Sequence, residues 1–215
     1  LTVKISVYSD YVCPFCFLAK QPLYEVLKEK DDINIEWIPL EQPMQSPLYP
    51  EDRLQLWREI VYPLAQKMGV SIILPNVQPY PSSRLASEGY YFARENGKAD
   101  EYNDRLMHAF FGEQQNIGQI NVLTRLAADI GLDKQAYREA LEQRLYKNIH
   151  NKALHDAYNE TGVTRTPLLV IGCTKVAGIQ SKEEIECLIE QERKPKKKKI
   201  SLLMSGQSCG PNGCQ

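Results

Sequence analysis

Residues 3–8, VKISVY, are dense in β-branched and aromatic side chains and read as a buried strand. SDYVCPFC follows, and then Phe17, Leu18, Leu23, Tyr24 and Leu27 recur at helical spacing. Residues 33–38, INIEWI, read as a second strand ended by Pro39. Strand, helix, strand in that order predicts parallel strands with a right-handed crossover. Residues 39–50 carry four prolines and predict an irregular connection.

From about 51 to 160 the pattern is helical. EDRLQLWREIVYPLAQKMG is interrupted near Pro63 and stopped by Gly69, and residues 70–81 form a proline-rich loop. Ser82 or Ser83 is placed to cap a helix that ends at Asn96-Gly97. Three further helical segments follow, with Asn121 and Asp133 as expected caps. Strand character returns in LLVIG at 168–172 and TKVAG at 174–178, close enough for an antiparallel hairpin. Ser181 and Glu184 form a capping-box pair before SKEEIECLIEQE. No internal repeat is visible. The order β-α-β, helices, β-β-α predicts an α/β chain: a thioredoxin fold with a large helical insertion. Residues 1–48 and 162–193 form its two parts, 49–161 the insertion, and 194–215 a lysine-rich linker and cysteine-containing tail.

Composition narrows the function classes. The 215 residues are 43% hydrophobic and 25% charged, ordinary for a globular chain, and the net charge of -1 argues against nucleic acid or membrane as partner. No apolar run approaches the roughly 18 residues of a membrane span. LTVKISVYSD alternates and lacks a signal-peptide core, so a cytoplasmic protein of bacterial type is expected; a removed leader would leave no trace. Six cysteines in this length do not suggest a disulfide-stapled mini-domain. Cys13 and Cys16 are close, as are Cys209 and Cys214; Cys173 and Cys187 stand alone and are expected to pack as small apolar side chains.

The segment CPFC carries the chemistry. Disulfide exchange needs a thiolate, and a cysteine of pKa near 8.5 is only about 3% ionised at pH 7. Cys13 lies between a strand and a helix, with Pro14 at the favoured first helical position. Its sulfur would meet unpaired backbone N–H groups and the positive end of the helix dipole. Cys16 sits one turn on, in reach of a mixed disulfide at Cys13. Pro14 and Phe15 add no charge to stabilise the anion. Zinc usually takes four ligands, and the other close pair, Cys209 and Cys214, has no histidine near it. A structural bridge fits a strand-to-helix junction poorly. No metal site is expected.

DYVCPFC resembles the active-site segment of the DsbA-like thioredoxin superfamily, and of its FrnE-like branch. GVTRTPLLVIG at 162–172 is similar to that family's cis-proline loop, VAGIQSKEEI at 176–185 to the following strand, turn and helix, and EWIPLEQPM at 36–44 to the segment after the second strand. The resemblance implies dithiol–disulfide exchange on protein or small-thiol substrates, without a cofactor. It implies Cys13 as nucleophile, Cys16 as resolving thiol and Pro167 as the cis-proline. Pro14, Phe15 and Thr166 would contact substrate. Related 2-hydroxychromene-2-carboxylate isomerases share the fold, use glutathione and generally carry serine at the position of Cys13. Glutathione is therefore a further candidate partner and a glutathione-dependent isomerase the alternative function. A non-catalytic binding module is a third.

Other signals are weaker. His108, His150 and His155 show no metal-ligand spacing, and neither a dinucleotide fingerprint nor a P-loop occurs. Tyr90, Tyr91, Phe92, Phe110 and Phe111 read as core more readily than as a substrate groove. In the tail, Cys209 and Cys214 flank Gly-Pro-Asn-Gly, a turn-forming run that predicts a second redox pair exchanging with Cys13 and Cys16. The competing reading is an independent tail. Some FrnE-like proteins are similar in carrying an extra C-terminal cysteine pair.

Overall fold

The structure, a computed structural model, describes residues 2–30, 32–41 and 50–194. Strand β1 (Val3–Ser9) leads through a short turn into helix α1 (Pro14–Leu27), and β2 (Ile33–Pro39) returns parallel to β1. Strands β3 (Leu168–Ile171) and β4 (Thr174–Ala177) complete a sheet of order β2-β1-β3-β4, with β3 antiparallel to both neighbours. The chain then enters helix α9 (Lys182–Arg193), opened by the expected reciprocal bonds of Ser181 and Glu184.

Strand alternation sorts side chains to two faces. Val3, Ile5, Val7, Ile33, Ile35, Trp37, Leu169 and Ile171 join the main core, to which α9 contributes Ile185 and Ile189. Burying each of those two isoleucines is worth about 1.5–3 kcal/mol. Tyr8, Ile38, Leu40, Leu168 and Val170 face the other way, against Ala157 and Val163.

Between β2 and β3 lies the helical region. Helix α2 (Pro50–Leu56) continues through a π-helical turn at Trp57–Val61 into α3 (Tyr62–Met68), where Gly69 ends it in the left-handed conformation at φ 67. After an extended loop come α4 (Arg84–Glu95), α5 (Ala99–Phe111), α6 (Ile120–Asp129), α7 (Lys134–Glu142) and α8 (Lys147–His155), the last followed by a π-helical turn at Asp156–Glu160. Tyr90, Tyr91, Phe110 and Phe111 are buried and Phe92 packs against them. No described helix is long and apolar enough to cross a membrane.

Several local expectations need correction. Asp133 caps α7 by accepting from the Ala136 backbone N–H, but Asn121 lies inside α6, whose N-cap is Gln119; the Asn121 side chain instead accepts from Arg138. Ser83 holds the N-cap position of α4 without a capping side-chain bond, while the Ser82 hydroxyl accepts from the Arg84 N–H. Cys173 and Cys187 are exposed rather than packed: one lies at the β3–β4 turn and the other on the outer face of α9. The pair Cys209 and Cys214 lies outside the described residues.

Candidate active site

Backbone geometry at the end of β1 places the two cysteines. Cys13 is the N-cap of α1, extended at φ -90 and ψ 115, and Pro14 opens the helix with the fixed φ it prefers there. The Cys16 and Phe17 N–H groups both donate to the Cys13 carbonyl. The loop is braced from its own side by Asp10, whose carbonyl accepts from Cys13 N–H at 3.2 Å and whose Oδ1 accepts from Val12 N–H at 3.2 Å.

Cys13 is partly exposed, whereas Cys16 is 1% exposed beneath it. The Cys13 thiol is directed at the Thr166 carbonyl at 3.8 Å, and the Thr166–Pro167 peptide bond is cis. The Pro167 carbonyl accepts from the Gly178 N–H, so the loop is tied to the segment between β4 and α9. Cys16 Sγ receives the Asp10 N–H at 3.5 Å.

These surroundings separate the two thiols. A hydrogen bond from the Cys16 thiol holds Cys13 below the ordinary cysteine range, helped by the Cys16 backbone N–H and opposed by burial and the Asp10 charge. Burial pushes Cys16 well above that range, and the adjacent Cys13 thiolate adds to the rise. One sulfur is thus poised as the anion and the other as its proton-bearing neighbour.

The helical region contributes a wall to the same site. Tyr80 donates its hydroxyl to the Val12 carbonyl at 3.1 Å, and the Arg53 guanidinium lies 4.7 Å from the Tyr80 ring centroid. Tyr11, buried in the loop, donates to Asn103 Oδ1 of α5 at 2.5 Å, and its ring meets Tyr102 edge-on. Tyr102 in turn shares a 2.7 Å hydroxyl contact with Tyr137 and donates to the Ala86 carbonyl. A cavity of about 1150 Å³ opens beside Cys13, and Pro14, Phe15, Thr166 and Pro167 line it with Arg53 and Tyr80. The candidate residues from CPFC and from the 166–167 loop are therefore brought together. Asp10, Arg53, Tyr80 and Asn103 were not singled out from sequence. Only Asp10, three residues ahead of Cys13, carried a local signal that could have marked it.

Among the described residues, one group has the atoms to approach a metal ion: His155, Asp156 and Glu160. It lies outside the residues that line the cavity, and Asp156 is already paired with Lys152.

The family model described as a DSBA-like thioredoxin domain matches residues 4–190. An uncharacterized Bacillus subtilis protein, YwbO, is 43% identical over 201 residues, 91% of this chain and 100% of that protein. Among solved structures, a probable DsbA oxidoreductase of Streptomyces coelicolor, SCO1869, superposes with a TM-score of 0.77 at 20% identity, covering 99% of this chain and 98% of that one. A 2-hydroxychromene-2-carboxylate isomerase gives a TM-score of 0.71 at 19% identity, covering 87% and 93%.

Proposed function

The chain belongs to the DSBA-like thioredoxin domain family, and from that premise we propose that it is a thiol–disulfide oxidoreductase working through Cys13 and Cys16. The observation that carries this reading is the contrast between the two sulfurs: Cys13 at a helix N-terminus on the cavity wall, with its thiol acidified, and Cys16 buried beneath it with its proton held.

The steps follow from that contrast. The Cys13 thiolate attacks one sulfur of a substrate disulfide, forming a mixed disulfide and releasing the other substrate sulfur as a thiolate. Loss of the Cys13 negative charge removes the interaction that raised Cys16 most directly after burial, so Cys16 gives up its proton more readily. Its thiolate then attacks Cys13 Sγ. The Cys13–Cys16 disulfide forms, the second substrate thiolate leaves, and the protein has lost the two electrons that the substrate gained. Run backwards, the same steps oxidise a substrate dithiol. Thr166 and Pro167 shape the floor on which the substrate sulfur arrives, and Pro14 and Phe15 border it. Protein disulfides, small-thiol disulfides and glutathione are the partners proposed for this cavity.

Reduction of insulin by dithiothreitol, followed by turbidity, tests the reading. The wild-type chain should accelerate precipitation and Cys13→Ser should abolish the effect. Alkylation of the reduced chain should modify Cys13 before Cys16. Equal insulin rates with and without Cys13 would remove the proposal. A chromene carboxylate isomerisation that persists in Cys13→Ser would favour the isomerase instead.

A further inference from the structure

The cavity beside Cys13 is lined by three cations, Arg53, Lys67 and Arg165, and none of them forms an ion pair among the described residues. The segment 42–49 that leads into α2 holds no acidic side chain to neutralise them. The acids that share the cavity are already engaged. Glu41 is paired with Arg84 at 2.7 Å and accepts from Ser82 at 2.8 Å. Glu184 accepts from the Ser181 N–H at 2.7 Å, and Asp10 accepts from Val12 N–H.

Arg53 is the best placed of the three cations. It is half-buried, its guanidinium rests on the Tyr80 ring, and Tyr80 is bonded to the Val12 carbonyl one residue before Cys13. The ring contact holds the guanidinium at the cavity wall, where its N–H groups have the fork geometry that holds a carboxylate by two parallel bonds. Beside it the wall is apolar, with Phe15, Leu56 and Trp57. A recess of about 1150 Å³ slightly exceeds the usual range of small-molecule sites, roughly 300–1,000 Å³, and so has room for a low-molecular-weight disulfide.

We propose that Arg53, held on Tyr80, anchors a carboxylate of the substrate, and that the site selects low-molecular-weight disulfides carrying a carboxylate close to the sulfur. The inference rests on the redox reading of Cys13. The Cys13 thiolate attacks the disulfide R–S–S–R, giving Cys13–S–S–R and R–S⁻; Cys16 then displaces the second R–S⁻, and the two electrons lost by the protein reduce the substrate. Arg53 holds the carboxylate through both steps and exchanges no proton.

The test uses the reduced full-length chain in single-turnover stopped flow with two aromatic disulfides, the dicarboxylate dithiobis-nitrobenzoate and the uncharged dithiodipyridine. Only the phase missing from Cys13→Ser is followed, because Cys173 and Cys187 are exposed and will also react. Arg53→Gln should slow the dicarboxylate roughly tenfold or more, the loss of one charge-assisted anchor, and change the uncharged disulfide by less than about twofold. Arg53→Lys should recover part of the loss. In the wild type, added salt should slow the dicarboxylate selectively. Equal slowing of both probes by Arg53→Gln would make Arg53 a brace for Tyr80 and overturn the proposal. No slowing of either, or wild-type rates for the dicarboxylate that ignore salt, would overturn it as well. If neither probe gives a Cys13-dependent phase, the redox reading itself falls.

Discussion

Removing one hydroxyl should expose how strongly the cysteine-bearing loop is fastened to the helical region. Tyr11 and Asn103 are each 2% exposed, and their 2.5 Å bond joins the segment ahead of Cys13 to α5. In Tyr11→Phe the ring stays and the donor goes. Asn103 Oδ1 then loses this donor in a buried site where Asn103 Nδ2 already lacks a bond among the described residues. Orphaning a buried polar atom costs about 1–3 kcal/mol. For a chain of 215 residues each kcal/mol lowers Tm by about 2–4 °C, so the variant should melt roughly 2–12 °C below wild type. The check is a double-mutant cycle by thermal or urea unfolding of the reduced protein, with Asn103→Leu as the second change. Once Asn103 is apolar, Tyr11→Phe should cost less than about 0.5 kcal/mol. Additive losses in the double variant would refute the reasoning, because the two side chains would then contribute independently.

Other perturbations have equally definite outcomes. His150 is fully buried against Tyr91, with Glu88, Glu41, Arg84 and Arg144 as its charged surroundings, and burial pushes its pKa down to about 4. Its folded value lies below the unfolded one, so the unfolded chain takes the proton first; stability present above about pH 6.5 is lost as pH falls towards 4, by about 3 kcal/mol at most. Urea midpoints measured at pH 6.5 and 4.5 should converge in His150→Leu relative to wild type, and an unchanged pH slope would count against this. An added Cβ at Gly89 would overlap the Tyr137 and Tyr102 hydroxyls, so Gly89→Ala should lose about 1–3 kcal/mol or more in an unfolding titration. For the tail, we propose exchange of Cys209 and Cys214 with the Cys13–Cys16 pair; fourteen residues separate Lys194 from Cys209, and such a stretch spans up to about 50 Å when extended. Serine at Cys16 together with serine at either tail cysteine should trap a Cys13-to-tail disulfide by mass spectrometry, and its absence from both versions would leave the tail without that role.

The parts of the molecule legible in the sequence are those set by neighbours along the chain. The strand before CPFC, Pro14 at the first helical position and the Ser181–Glu184 box each depend on residues a few positions apart, and each took the expected form. Asn121 misled because asparagine caps helices when its side chain is unclaimed, and here Arg138, from the next helix, claims it. Cys187 has helical spacing but falls on the solvent side of α9, where Ile185 and Ile189 define the buried side. The opposite wall of the cavity was illegible for a different reason. Tyr80 reaches Val12 across 68 positions, and Tyr11 reaches Asn103 across 92, separations at which periodicity carries no information.

Strand β1 pairs on one side with β2, made soon after it, and on the other with β3, where Ile5 meets Ile171. At ribosomal speeds of roughly 5–20 residues per second, about 8–30 s pass between synthesis of the two. Throughout that interval the nascent chain carries CPFC without the Thr166 carbonyl that later faces Cys13. A newborn chain therefore meets the oxidants and metals of its surroundings before β3 and the loop ahead of it arrive. Its vulnerability during manufacture should track the reactivity of an uncovered cysteine pair, not that of the finished site.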